Sequence, residues 1–212
     1  LQSRRFSGTY ADLLSGGPYV PAARFFLQEL YGDQDYARRD EQFARISGAI
    51  ERFFPAHVAS TAAALARLHA LTEDLDVQMA RVWCSDPADP AEPLWRRYVR
   101  AWRTVGRRQE RECQLDSVLA LGQELARLTR APGLRTMLRM MRGPASAAGL
   151  ADLQQFLEEG FDTFAGMSRH RGAVEQFLGT VREREQRLFS LLYDGDLVAC
   201  ETELAGILRQ AP

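Results

Sequence analysis

Apolar side chains recur every three or four residues along almost the whole chain, and this spacing constrains the fold more than any other feature. The stretch after Pro55 shows it clearly, with Leu65, Leu68, Leu75 and Met79 on one helical face. This is the period of an α-helix, because 3.6 residues complete one turn. No segment alternates apolar and polar residues between turn signals, as a half-buried strand does. The sequence therefore predicts an all-α protein, a compact, bundle-like array of about nine or ten helices.

Turn signals divide this pattern into helices but not into domains. Residues 85–93 contain three prolines, which exclude a helix and favour an extended connection. We interpret them as an exposed interhelical loop inside one domain that spans residues 1–212. Residues 1–15 predict a single amphipathic helix, and the pattern changes register near Gly106. Gly143-Pro144 is expected to end a short helix, with Ser146 as a cap for the next one.

The charge balance argues against a committed nucleic-acid binder. All 27 basic residues are arginine, they face 28 acidic ones, and the net charge is −1. Three cysteines without a CxxC spacing favour a reducing compartment. Because no apolar run approaches about 18 residues, we expect a cytoplasmic protein without membrane contact. The chain starts at Leu1 rather than at Met, so the earlier removal of a leader segment is left as an open alternative.

Sequence signals for helix starts, helix ends and apolar faces are densest between Ala22 and Asp40. Pro21 opens a helix there, both Phe25 and Phe26 face one side, and Gly32 can end the helix. In the next helix, Arg39 and Asp40 fall within the apolar stripe. Since buried charges must be paired, these residues predict either a structural ion pair or a ligand-facing pair that lines a pocket.

A similar polar gap lies between Val181 and Leu188, where Arg184 or Glu185 occupies a stripe position. A link from Arg39 to Glu185, or from Arg184 to Asp40, would pair these charges across packed helices. Pairing alone does not separate a structural role from a binding role.

Seven arginines between Arg96 and Arg111 form the strongest charge cluster. One face of the predicted helix carries Arg96, Arg100, Arg103 and Arg107, opposite the apolar stripe of Leu94, Tyr98, Trp102 and Val105. This face is the candidate for contact with an anionic partner, nucleic acid or an acidic protein. The alternative is a solvated face balanced inside the fold, for which the acidic segment 152–162 could supply the charge.

Catalytic and metal-binding motifs are missing from the sequence. We find no GxSxG, no phosphate-binding glycine loop and no HExxH, and we expect no metal site and no resident cofactor. His69 lies on a mostly apolar helix and could serve as an axial haem ligand, with Trp95 and Trp102 nearby in a pocket. The other interpretation is a half-buried histidine bonded to Glu73. The sequence therefore favours a function other than catalysis.

Several short segments together resemble an uncharacterised family of bacterial proteins of about this length. The resemblance has an FFL…LYG…RD pattern, and Tyr36 stands where that family usually has Phe. It implies no activity, but it draws attention to Arg39, Asp40, Arg142 and Glu185. The segments that carry it are Arg24–Leu27, Leu30–Gly32, Arg39-Asp40, Met141–Ala145, Ala148–Leu150, Leu153-Gln154, Phe156-Leu157, Gly160-Phe161 with Phe164, and Phe177-Leu178 with Arg184-Glu185.

The sequence predicts a non-catalytic bacterial protein with a binding or interaction function. Its partner would be another protein or a second copy of itself in a dimer, bound through an apolar helix face. The alternatives are a protein that binds a small molecule or haem, and one that binds an anionic partner through the arginine face.

Overall fold

The computed structural model describes residues 1–27, 56–86 and 91–211, with only the backbone for His57 and Ala59. Within these ranges every regular element is a helix, which confirms the all-α prediction. The helices are α1 (Gln2–Thr9), α2 (Ala11–Ser15), α3 (Val20–Phe25), α4 (Ala56–Ser85), α5 (Leu94–Val105), α6 (Arg108–Leu128), α7 (Leu134–Met140), α8 (Arg142–Ala147), α9 (Ala151–Met167), α10 (Ala173–Asp194) and α11 (Leu197–Gln210).

The long helices α4, α6 and α10 form the centre of the array. α6 packs against α4 on one side and α10 on the other, and α5 contacts α4, α10 and α11. The largest core cluster includes Trp95, Trp102, Phe164, Phe177 and Leu192, each buried. α1 crosses α11, so the two ends of the described chain meet.

The junction between α5 and α6 agrees with the predicted change of register. Gly106 has a φ of 65°, and Arg107, the only non-glycine residue with positive φ in the described ranges, has a φ of 52°. Two successive residues with positive φ end one helix and reorient the next. Asp196 likewise begins α11 as expected for an N-cap, because its carboxylate accepts a hydrogen bond from the backbone N–H of Ala199 at 2.8 Å.

Two expectations about local boundaries are wrong. Residues 1–15 are not one helix, because Tyr10 leaves the helical conformation (φ −115°, ψ 19°) and separates α1 from α2. The short helix α7 does end in this region, at Met140, but Gly143-Pro144 is not its terminator, since both residues lie inside α8, where Pro144 occupies the first turn and needs no N–H partner. Ser146 also lies in α8, and α9 begins after Leu150 without a side-chain cap.

Candidate ligand-binding site

An apolar cavity of about 230 Å³ lies where α3, α4 and α6 meet the helices α7 to α9. Among its described lining residues, only Thr61 and Gln154 have polar side chains. The described lining consists of Phe25, Phe26, Val58, Thr61, Ala62, Leu65, Leu68, Val118, Leu121, Gly122, Leu125, Leu128, Leu134, Leu138, Met141, Pro144, Ala145, Ala148, Leu150, Leu153, Gln154, Phe156, Leu157, Gly160 and Phe161.

Small residues and short helices leave this space. Ala62 faces it from α4, and Ala145 faces it from α8, so each of these two positions contributes only a methyl group to the wall. Gly160 on α9 lets the ring of Phe25 approach closely, because a Cβ there would lie 3.1 Å from that ring. Phe25 also stacks on Phe156, with ring centroids 5.3 Å apart. These contacts place aromatic rings at the wall of the cavity without filling it.

The polar end of this lining is an ordered hydrogen-bond chain. The amide nitrogen of Gln154 donates to the carbonyl of Leu138 at 2.6 Å and to Oε1 of Glu158 at 3.1 Å. Glu158 is buried, and it accepts from Nε of Arg142 at 2.7 Å. These bonds, with that from Arg142 first, lower the pKa of Glu158 from its ordinary 4.5 to about 2. Glu158 therefore stays ionised at neutral pH behind the Gln154 side of the cavity.

A second, smaller cavity of about 60 Å³ lies between α1, α3, α5, α6 and α10. Phe26 and Val118 line both cavities, so the two spaces adjoin along α6. The polar lining is much richer here. It contains Gln2, Arg5, Tyr10, Arg111, Gln114 and Glu185, together with the indole of Trp102.

Arg5 and Glu185 form the centre of the smaller cavity. Nη1 of Arg5 donates to both carboxylate oxygens of Glu185, at 2.7 and 2.9 Å. The hydroxyl of Tyr10 donates to Oε1 of Glu185 at 2.8 Å. Burial acts to lower the pKa of Arg5, but the charge of Glu185 acts against it and the net result is a raised pKa. The arginine is therefore a permanent buried cation.

Arg111 supplies a second buried guanidinium. It lies over the ring of Trp102 at 4.8 Å and donates to Oε1 of Gln114 at 3.1 Å. The amide of Gln114 in turn donates to the hydroxyl of Thr72 at 2.7 Å. Asp76 lies 3.5 Å from Nη2 of Arg111, and its side chain is 43% exposed, so this carboxylate belongs to the rim.

Two buried donors in this cavity have no acceptor. Within the described ranges, Nε of Arg5 and Nε1 of Trp102 are both inaccessible to solvent and have no hydrogen-bond partner. Both residues line the same 60 Å³ space. Buried N–H groups almost always find a partner, so an acceptor is expected there.

Of the four residues predicted as buried pairs or pocket residues, the structure describes two, and these lie in different places. Arg39 and Asp40 lie outside the described residues. Glu185 lies in the smaller cavity opposite Arg5, and Arg142 lies at the surface against Glu158. Arg184 makes a bidentate ion pair with Asp12, in which Nη1 and Nη2 donate to the two carboxylate oxygens at 2.7 Å each.

The residues of the predicted aromatic pocket do not lie together around one cavity. Trp95 and Trp102 both lie on α5 and are buried in the core, and of the two only Trp102 lines the smaller cavity. His69 is half-buried on α4 and lines neither cavity among the described residues.

The arginine face is largely occupied by internal acceptors. Arg100 binds Asp86 and Glu92, with distances of 2.6 Å to each. Arg107 pairs with Asp74, and Arg103 donates to the carbonyl of Leu192 at 2.8 Å. Arg96 is exposed, with its guanidinium 5.4 Å from the ring of Trp95.

The acidic segment 152–162 makes other contacts. Its Glu158 pairs with Arg142, and its Asp162 pairs with Arg135 at 2.5 Å. The acidic partners of the arginine face come instead from α4, from the segment after it and from α6. Acidic residues of the fold therefore do balance this positive charge, and they lie nearer to the arginines in the sequence than segment 152–162 does.

Comparison with known proteins identifies the family. A model of a domain of unknown function, DUF8198, matches residues 1–198. The chain belongs to this DUF8198 family. No curated protein and no solved structure matches it. Membership in DUF8198 agrees with the resemblance to an uncharacterised family, while the bacterial origin and the FFL…LYG…RD pattern stay predictions.

Across the described residues of this DUF8198 protein, no cluster of three or more His, Cys, Asp or Glu side chains could hold a metal ion. In the same ranges, no helix has the length and apolar character needed to cross a membrane.

The sequence missed Arg5, Arg111 and Gln114 as site residues. Arg5 precedes Phe6 at the edge of the apolar stripe of α1, where a charge is unremarkable. Arg111 and Gln114 carried a usable signal, because they extend the Leu115/Val118 register of α6 back by one turn. Their place on the buried face of that helix could have been read from the spacing.

Proposed function

We propose that this protein is a non-catalytic binding protein whose ligand is a small apolar molecule held in the larger cavity. The observation that supports this function is the 230 Å³ cavity with an almost wholly apolar described lining. Apolar lining with a few polar groups is typical of small-molecule sites. The proposal combines the binding function predicted from the sequence with the small-molecule alternative. The proposed site is a different one from the predicted aromatic pocket.

The size of the cavity limits the ligand. An engineered cavity of about 150 Å³ accepts benzene, so 230 Å³ corresponds to a ligand of about nine non-hydrogen atoms. Medium-chain aliphatic and alkylbenzene molecules have this size. Haem is far larger than this space, so the cavity favours a smaller ligand.

The energy of an empty cavity also favours an occupant. Each Å³ of cavity costs about 24 cal/mol, so 230 Å³ left empty costs on the order of 5 kcal/mol. That is a large part of the 5–15 kcal/mol by which a typical domain is stable. A ligand that fills the space restores the dispersion contacts that the lining otherwise lacks.

The test compares 1-octanol with triethylene glycol, two flexible molecules of comparable size and opposite polarity. At a hundred times its Kd, octanol should stabilise the protein by about 2.7 kcal/mol and raise Tm by about 5–10 °C. Triethylene glycol should leave Tm unchanged. Isothermal calorimetry should show saturable binding of one octanol with a negative heat-capacity change.

A matched pair of variants locates the site. Ala62→Leu places a larger side chain in the cavity and should abolish octanol binding, whereas Ala63→Leu on the same helix lies outside the described lining and should not. Equal loss in both variants, or no saturable binding to the parent protein, would refute the proposed function.

We further propose a cytoplasmic location and self-association through exposed apolar side chains. The three cysteines are free, Cys84 and Cys113 exposed and Cys200 buried, which supports a cytoplasmic location. Self-association would use exposed apolar side chains, of which Met140 and Val198 are the most exposed at 72% and 73%. They lie on α7 and α11, and light scattering at several concentrations decides whether copies associate.

A further inference from the structure

We propose that the smaller cavity binds a carboxylate group between Arg5 and Trp102. Both side chains are at least nine-tenths buried, and each has an N–H donor without an acceptor in the part of the chain that the structure describes. Both line the 60 Å³ space. Two unpaired donors that share one cavity point to an acceptor group that binds there.

The charge of the cavity favours an anion over a water molecule. Arg5 and Arg111 contribute two buried guanidinium groups, and Glu185 contributes one buried carboxylate. Asp76 pairs with Arg111 at 3.5 Å and makes the formal sum of the four charges zero, but its side chain is 43% exposed, so the fully buried charges are two guanidinium groups and one carboxylate. A buried cation is stabilised by an anion far more than by a neutral acceptor.

Shape and size favour a carboxylate among anions. Nη1 of Arg5 is already used by Glu185, while its Nε–H is left for another acceptor. Guanidinium N–H groups match the two oxygens of a planar carboxylate, and the indole N–H of Trp102 supplies a further donor. By the benzene scale used for the larger cavity, a volume of about 60 Å³ holds about two or three non-hydrogen atoms, the size of a carboxylate group.

Two sources could supply this carboxylate. One is a free small carboxylate such as acetate. The other is the acid end of a ligand whose apolar part occupies the larger cavity, because the two spaces share Phe26 and Val118. The second source rests on the proposed function, while the first is independent of it.

The indole N–H of Trp102 reports directly on occupancy. In the ¹⁵N-labelled protein at neutral pH, sodium acetate should move the indole proton of Trp102 downfield in a saturable manner, relative to sodium chloride at equal ionic strength. The indole protons of Trp83 and Trp95 should stay in place, and loss of one signal in each Trp→Phe variant assigns all three. Inorganic phosphate, which is tetrahedral and larger, should move the Trp102 signal less than acetate does.

Octanoate and 1-octanol distinguish the two sources. If the group is the head of a larger ligand, octanoate should move the Trp102 signal and bind at least tenfold more tightly than acetate and than octanol. If the source is a free carboxylate, acetate should bind as tightly as octanoate. Octanol binding without any Trp102 response to either acid would leave the proposed function intact and overturn this inference.

Variants separate a binding role from a structural one. Arg5→Lys keeps the positive charge but removes the Nε–H, and it should weaken acetate binding at least tenfold in calorimetry while the amide spectrum stays dispersed. Trp102→Phe should weaken it by a smaller factor. The parent protein decides the question even if the Arg5 variant does not fold. A Trp102 signal that does not respond to acetate, or that responds equally to chloride or more strongly to phosphate, would show that the cavity is not a carboxylate site.

Discussion

Arg5 and Glu185 are 180 residues apart in sequence, and a single guanidinium nitrogen of Arg5 contacts both carboxylate oxygens of Glu185. The pair joins α1 to α10, and both side chains are almost fully buried, with 3% and 6% of their surface exposed. Each of these charges is stabilised mainly by the other, because too little water reaches either side chain to solvate it if its partner is removed.

Removal of one member of this pair should therefore be costly. Glu185→Ala leaves Arg5 buried without its carboxylate and should lower the free energy of unfolding by about 3–5 kcal/mol in urea denaturation. Glu183→Ala on the same helix changes an exposed carboxylate and should stay within about 0.5 kcal/mol of the parent.

The double variant Arg5→Leu/Glu185→Leu tests the coupling. Because it leaves no buried charge unpaired, its loss of stability should be smaller than the sum of the two single losses. Additive losses would show that the two side chains stabilise the fold independently.

Filling the larger cavity should stabilise the protein when no ligand is present. Ala62→Leu adds apolar atoms inside the lining and should raise the free energy of unfolding by about 1 kcal/mol. Ala63→Leu, outside the described lining, serves as the control, and chemical denaturation of both variants measures the difference. A destabilised Ala62→Leu protein would mean that the space does not accept further side-chain volume.

The crossing of α1 and α11 depends on a glycine. A Cβ at Gly8 would lie 2.0 Å from the carbonyl oxygen of Ile207, and this backbone atom cannot move aside without moving α11. Gly8→Ala should lower the free energy of unfolding by about 2–3 kcal/mol. Gly179→Ala meets nothing within 4 Å inside α10 and should stabilise by up to about 1 kcal/mol. Thermal unfolding of the two variants should therefore shift in opposite directions.

Glu158 should make stability depend on acid pH. Its pKa in the folded protein is about 2, below the ordinary 4.5, so the folded state keeps the carboxylate ionised where the unfolded chain takes up a proton. The stabilising contribution is complete above about pH 4.5 and is lost as pH falls towards 2.

The stability difference between the parent and Glu158→Gln should shrink over that range in urea denaturation. Glu159→Gln, an exposed neighbour, should show no such convergence. A difference that stays constant from pH 6 to about pH 2.5 would contradict the role assigned to the Arg142–Glu158 pair.

The arginine face should bind heparin weakly. Arg100 and Arg107 already neutralise carboxylates of the same chain, so few free cations are left to displace counterions from a polyanion. We expect elution from heparin at low salt, with no change in Arg100→Ala. Strong retention that is lost in Arg100→Ala would restore the anionic-partner alternative.

Local order was readable from the residues themselves. The 3.6-residue spacing predicted the long helices, and the change of register near Gly106 predicted the α5–α6 junction. Each of these depends on neighbours a few residues away. Even so, the break at Tyr10 and the place of Pro144 inside α8 were not predicted from local signals.

The sequence alone determined that the protein is helical, with a charged residue, Arg184 or Glu185, at an apolar stripe position that required explanation. Only the tertiary structure decided that Arg5 is the partner of Glu185, that Arg100 and Arg107 are held by nearby acids, and that an apolar and a polar cavity adjoin at Phe26 and Val118. The physical reason is range. A helix forms through bonds between residues four apart, whereas an ion pair or a cavity depends on how distant helices dock and on the volume left between them.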